Sequence, residues 1–298
     1  MSHNHSNYSA KDTTEKNLII TMFLNFFITI VEFVGGLISG SLSLISDSLH
    51  NFSDGIAIII TYIAMRISKK PRTLKHTFGL KRAEILAAII NASTLIVISF
   101  FLIKEAIERF YNPTPITGGL MLVVASLGLF ANVAGTVLLK KGSINNLNMR
   151  AAYFHLLSDA VSSLAVIVGA LFIIFLKVYW IDPVLTILIS IYILKETFEI
   201  VKQAVDVIMM TVPSEIDLNE VSQTVESILK VKNVHHVHVW KLNDADTHFE
   251  AHIEVGDISV CETGEIQKQI EHTLLDMFGI NHITLQFECN ICETKTII

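Results

Sequence analysis

Six long apolar stretches leave this 298-residue chain little freedom: residues 18–38, 42–65, 83–103, 117–139, 151–176 and 181 to about 209. A hydrocarbon core about 30 Å thick is crossed by about 20 residues of α-helix. Inside lipid every backbone N–H and C=O must find a partner within the protein, so stretches of this length cross as helices. The composition agrees: the chain is 51% hydrophobic and only 17% charged, which excludes an ordinary soluble domain. The sixth stretch is weaker, because Lys195, Glu196, Glu199 and Lys202 follow Leu194, and its far end is expected to leave the hydrocarbon as an amphipathic helix. The polar first 17 residues lead into an apolar run too long for a signal-peptide core, so no removed signal is expected.

Six spans place both termini on one side. The loop at 66–82 holds Arg66, Lys69, Lys70, Arg72, Lys75, Lys81 and Arg82, and the loop before the fifth span holds Lys140, Lys141 and Arg150. Short loops rich in Lys and Arg stay in the cytoplasm, so both termini are expected there. Charge also divides the chain: residues 1–209 carry a net charge of plus four and residues 210–298 one of minus ten. The expected organisation is a cytoplasmic tail (1–17), a six-helix transmembrane domain (18–209) and a cytoplasmic domain (210–298). In the last part, helix periodicity at 217–229 and 261–278 and strand alternation at 234–242, 247–255 and 282–288 give an αββαβ order. That order fits an α+β ferredoxin-like sandwich. The three cysteines, Cys261, Cys289 and Cys292, all fall here, and an odd number does not suggest a disulfide framework.

Two of the spans carry a repeated pattern, His-x-x-Ser-Asp, at His50 with Asp54 and at His155 with Asp159. Residues at i and i+4 share a helix face, so each pair can close on one metal ion. At about 1.5 Å per residue the first pair lies roughly 12 to 18 Å deep from one surface and the second roughly 14 to 20 Å from the other. In a core about 30 Å thick the two pairs meet at one level. Two imidazoles and two carboxylates form the N/O set that Zn²⁺ takes in tetrahedral geometry, with Cd²⁺ and Co²⁺ as alternatives, whereas Mg²⁺ and Ca²⁺ prefer oxygen-only sets. Metal binding needs neutral His and ionised Asp, so protons compete for the site. A lone intramembrane His or Asp often does no more than join helices; two matched pairs are less easily explained that way. Glu32 and Asp47 are candidates for a route for metal or protons, while Asn25, Asn91 and Asn132 read as interhelical hydrogen-bonding groups. Gly35 and Gly36 permit close helix approach, and Asp182 before Pro183 reads as a helix cap.

The motifs SDSLHNFSD at 46–54, HTFGLKRAE at 76–84, NLNMRAAYFHLLSD at 146–159, YWIDP at 179–183 and HHVHVWKL at 235–242 run through nearly the whole chain. With them the chain resembles the cation diffusion facilitators, and among these the zinc-exporting branch. The resemblance implies a homodimeric antiporter that exchanges cytosolic Zn²⁺ for protons by alternating access, with His50, Asp54, His155 and Asp159 as the transport site. It also implies that His at position 50 favours zinc. By the same resemblance a regulatory metal site in the cytoplasmic domain uses His236 and His252, with Glu288, Cys289 and Cys292 as further candidates. Strand alternation separates His235 from His236 and His238, so a ligand set is not expected to contain all three. Of the ligands that some relatives carry in the second loop only His76 is present, and KKGSINN stands where many relatives have a His-rich loop. His3 and His5 form a short tail that either completes such a site or captures metal, or is a disordered tail that binds none.

An intramembrane zinc hydrolase would need an open coordination position and a general base, and no HExxH occurs. A membrane-anchored sensor would not need matched ligand pairs inside its spans. No P-loop points to a primary pump. The expected protein is therefore a multi-pass transporter and not an enzyme. Its expected partners are Zn²⁺, protons, lipid and a second copy of itself, with no nucleic acid, and its short form points to a bacterial inner membrane.

Overall fold

A computed structural model describes residues 5–140, 147–243, 245–289 and 296–297. Six long helices come first: α1 (His5–Ser39), α2 (Leu42–Ser68), α3 (Ala83–Tyr111), α4 (Gly118–Leu139), α5 (Leu147–Leu176) and α6 (Ile181–Ile208). Four stretches are long and apolar enough to cross a membrane: Ile20–Ser39 in α1, the whole of α3 and α4, and Tyr153–Leu176 in α5. Helix α2 is more polar because its first half carries Ser46, Asp47, Ser48, His50, Asn51, Ser53 and Asp54, and α6 because its second half carries alternating charges.

The chain packs as two compact units, one built from residues up to Ile60 with Ile90–Glu199, the other from Thr61–Ile89 with Ile200–Ile298. The first unit has its polarity inverted relative to a water-soluble bundle. Glu32, Asp47, Ser48, Asn51, Asn132, Asp159 and Ser163 are buried, while Phe23, Phe130 and Phe175 are each about three-quarters exposed. Such an exterior is stable against hydrocarbon, and such an interior needs internal partners. Small residues bring the helices together. A Cβ on Gly35 would stand 2.6 Å from Val124 of α4, and one on Gly128 of α4 would stand 2.0 Å from the Glu32 carboxylate.

Asp182 caps a helix, though not its own. It lies in the first turn of α6, fully buried, and its carboxylate receives the Leu42 N–H (2.8 Å) and the Ser43 N–H (3.2 Å) at the start of α2. The hydroxyls of Ser41 (2.6 Å) and Ser43 (2.5 Å) donate to it as well. An ionised group at a helix N-terminus satisfies orphan N–H groups and complements the helix dipole. The register of α2, and with it the direction of His50 and Asp54, is thus set by a contact 140 residues away in sequence.

In the second unit α7 (Leu218–Glu226), β1 (Val231–Lys241), β2 (Thr247–Val255), α8 (Val260–Phe278) and β3 (His282–Glu288) follow the expected αββαβ order. The sheet order is β1-β2-β3, with β1 antiparallel and β3 parallel to β2. Helix α8 supplies the crossover that a parallel neighbour requires. Its start is a capping box between Ser259 and Glu262, and it ends on Gly279 with φ +67°. Val221, Val225, Val237, Val239, Phe249, Ile253, Ile270 and Leu274 close the core between the helices and one face of the sheet.

Candidate metal centre

Helix α2 offers His50 and Asp54, and α5 offers His155 and Asp159, each pair one turn apart. The structure brings His50, His155 and Asp159 within ligand reach of one another and sets Asp54 beside both histidines. His50 Nε2 lies 3.7 Å from Asp54 Oδ2, and His155 Nε2 lies 3.4 Å from Asp54 Oδ2 and 3.5 Å from Asp159 Oδ2. The two imidazole centroids are 6.0 Å apart. These separations are too long for good hydrogen bonds, which close at about 2.7 to 3.2 Å. They are close to the edge of a tetrahedron around an ion with bonds of about 2.0 to 2.1 Å, which is roughly 3.3 Å. His50, His155 and Asp159 each present a ligand atom within 4.8 Å of the others. Asp159 is almost wholly buried, while Asp54 and His155 are about one-third exposed, so the cluster is reachable from one side.

Asp47, one turn before His50, accepts a hydrogen bond from Ser162 of α5 (2.6 Å) and ties the two ligand-bearing helices together. Glu32 sits in the α1–α4 interface over Gly128, and neither of its carboxylate oxygens has a hydrogen-bond partner among the described residues. Ser53 donates to Asn91 (3.3 Å), and Asn132 donates to Ser163 (3.5 Å), the bland interhelical role expected of these asparagines.

A second group of ligand types lies on the sheet face away from the helices. His235 Nε2 is 3.4 Å and His252 Nδ1 2.8 Å from the Glu288 carboxylate, and the three could hold one ion. The set differs from the one anticipated, in which His236 took the place of His235. A β-bulge between His235 and His238 is the cause, with His236 at φ +54°. The extra residue shifts the alternation, so Val234, Val237 and Val239 all face the core and His235 joins the open face. The His236 ring still packs 4.8 Å from both His238 and His252, so the histidines that simple alternation separates lie side by side. Cys289 is exposed just after β3, and Cys292 lies outside the described residues. So do His3 and the side chain of His5. His76 is exposed in the α2–α3 loop, where its N–H donates to Thr73 Oγ1 (3.1 Å), and it joins no ligand cluster among the described residues.

Residues 18–209 match the cation efflux transmembrane domain, and residues 213–289 match the cytoplasmic domain of cation efflux proteins. The chain belongs to the cation efflux family. It is 37% identical over 98% of its length to the zinc transporter ZitB of Escherichia coli, of which 94% is covered. It is 35% identical to a cadmium, cobalt and zinc/H(+)-K(+) antiporter of Bacillus subtilis, over 97% of the chain and 92% of the relative. To the metal cation efflux system protein CzcD of Cupriavidus metallidurans it is 36% identical, over 94% and 88%. These cation efflux relatives are transporters and not enzymes.

Within this cation efflux framework, Ser162 escaped the reading of the sequence, and His235 and Asp182 were read without their partners. His235 was hidden by the bulge. Ser162 had a faint signal, a hydroxyl in an apolar span three residues after Asp159. Asp182 was legible as a cap, but nothing local says which helix it serves.

Proposed function

We propose that this chain exports Zn²⁺ from the cytosol in exchange for protons, by alternating access at the His50, Asp54, His155 and Asp159 cluster, with Cd²⁺ and Co²⁺ as alternative cargo. The observation that carries this reading is the cluster itself: three His–Asp separations of 3.4 to 3.7 Å suit edges of a tetrahedral zinc site better than hydrogen bonds, and His50, His155 and Asp159 each offer a ligand atom within 4.8 Å of the others. The names of the relatives support the cargo. Two ligands from each of two helices make the site depend on the relative register of α2 and α5. A small displacement of one helix against the other separates the pairs and weakens the hold on the ion. Protons arriving on the imidazoles and carboxylates then favour release, because only the deprotonated set binds metal.

The wider reading has six spans, with α2 and α6 completing the four more apolar ones, both termini in the cytoplasm, and a bacterial inner membrane. The boundaries are a tail at 1–17, a transport domain at 18–209 and a ferredoxin-like cytoplasmic domain at 210–298. The parallel β2–β3 pairing supports the last, since it is what remains of that sandwich when its first strand is missing. The protein works as a homodimer, a reading the match to a dimerising cytoplasmic domain favours. Zinc on the histidines of that domain, with Glu288 and the candidate Cys289 and Cys292, adjusts transport to cytosolic metal. His76, Asp47, His3 and His5 are accessory at most.

Zinc uptake into proteoliposomes under an imposed pH gradient tests the reading, with wild type beside Asp159→Ala and Cys289→Ala. Uptake should follow the proton gradient, vanish in Asp159→Ala and survive in Cys289→Ala. Continued transport by Asp159→Ala would leave the four residues as helix contacts only.

A further inference from the structure

The loop between α2 and α3 and its surroundings in the second unit hold features that transport chemistry does not use. A cavity of about 390 Å³ opens beside it, within the roughly 300 to 1,000 Å³ of small-ligand sites. Its walls include Ile67 in the last turn of α2, Ala83 and Leu86 in the first turn of α3, and Phe78, Met210 and Trp240. Because α3 is apolar enough to cross a bilayer and starts at this cavity, the cavity lies at a membrane surface.

The loop itself mixes charge with exposed apolar groups. Residues 66–82 hold seven of the 22 lysines and arginines of the chain. Among them Leu74 is fully exposed and Phe78 is half-exposed. Cations interleaved with exposed apolar side chains are the composition of a segment that rests on an anionic lipid surface. Lys81 is already committed to Asp246. The neighbouring Arg82, which also lines the cavity, has a buried Nε with no hydrogen-bond partner among the described residues. A buried guanidinium N–H without an acceptor is costly and points to a missing anion.

We propose that the α2–α3 loop and its cavity bind one anionic phospholipid, the acyl chain in the cavity and the phosphate on Arg82. Inorganic phosphate would satisfy Arg82 and leave the apolar walls in water. A zwitterionic lipid would fill the cavity and meet Arg82 with a headgroup of no net charge. A lipid of net negative charge satisfies both. The inference rests on the reading of the chain as a membrane protein whose α2–α3 loop faces the cytoplasmic leaflet.

The test uses the full-length protein, purified in detergent, with lipid binding counted by native mass spectrometry and followed by thermal shift. The probes are phosphatidylglycerol, phosphatidylcholine and inorganic phosphate. Phosphatidylglycerol should bind about one per chain and roughly tenfold or more tightly than phosphatidylcholine, the discrimination expected of a charge-assisted contact. Inorganic phosphate at millimolar concentration should give no shift. Arg82→Gln should abolish the preference, and Leu86→Trp, which fills the cavity, should weaken both lipids. Equal binding of the two lipids by wild type, an equal shift from phosphate alone, or an intact preference in monodisperse Arg82→Gln overturns the proposal. Zinc uptake measured on the same preparations separates the two readings. A chain that moves zinc without a lipid preference sinks this inference alone, and one that prefers phosphatidylglycerol but moves no zinc sinks the transport reading alone.

Discussion

Replacing Asp182 by Asn isolates the contact that starts α2. One carboxylate oxygen receives three donors, the Ser41 hydroxyl and the Ser43 N–H and hydroxyl, and the other receives only the Leu42 N–H. An Asn oxygen can keep the first set, but its NH₂ then faces the Leu42 N–H, donor against donor. One hydrogen bond to a charged acceptor is lost, about 1.5 to 3 kcal/mol. The negative charge at the N-terminus of α2 goes with it, about 0.5 to 1 kcal/mol. A loss of about 2 to 4 kcal/mol should lower the thermal midpoint of the purified protein by roughly 5 to 15 °C. Ser43→Ala supplies the control, since removing a hydroxyl that donates to the same carboxylate should cost less in the Asp182→Asn background than in wild type. An unchanged midpoint, or strict additivity of the two substitutions, would refute the capping role. Loss of zinc transport at full stability would move Asp182 onto the path of the cargo.

Three further substitutions probe other parts of the fold. Gly128→Ala drives a methyl to 2.0 Å from the Glu32 carboxylate and should cost about 1 to 3 kcal/mol by overpacking, with partial rescue by Glu32→Ala, both read from thermal midpoints. The Lys230 ammonium (2.9 Å), with the Ser259 N–H and hydroxyl, holds the Glu262 carboxyl down at about 2 from its ordinary 4.5. Because the folded value is the lower one, this contribution is complete above 4.5 and is lost as pH falls toward 2, so Glu262→Gln should flatten the acid limb of a stability profile. His236 sits at φ +54°, where glycine is unstrained and alanine pays about 1 kcal/mol, so His236→Gly should be more stable than His236→Ala by that amount, and the reverse order would remove the bulge. Zinc binding by the sheet domain in His236→Gly also decides between ligand sets, because His235, His252 and Glu288 remain.

What could be read from the sequence divides by the distance over which each feature is encoded. The four candidate residues of the metal centre were legible because each pair is local: a spacing of four within a helix fixes a shared face, and two matched pairs of intramembrane His and Asp are costly enough to stand out. The strands were legible for the same reason, since alternation is a property of neighbours, and β2 and β3 start and stop where alternation places them. Helices α2 and α6 do not join the four clear spans, because the polar and charged residues they carry reduce their hydropathy. The face His235 takes was not legible, because a bulge inserts one residue and reverses the parity of everything before it, and a sequence of His, His, Val, His carries no local mark of it.

Asp182 and the partly buried Arg82 show the complementary case, in which the sequence does not name the partner. A buried charge must be compensated, so an ionisable residue in an apolar context always announces that a partner exists. It does not say whether that partner is the N-terminus of a helix 140 residues earlier, as for Asp182, or a molecule outside the chain, as we infer for Arg82. Structure separates these outcomes by accounting for acceptors and donors one at a time. Where the account closes within the chain, the charge belongs to the fold. Where it stays open beside a cavity, as at Arg82, it points outside the chain, which is the basis of the proposed anion site, as clustered His and Asp side chains are the basis of the proposed cation site.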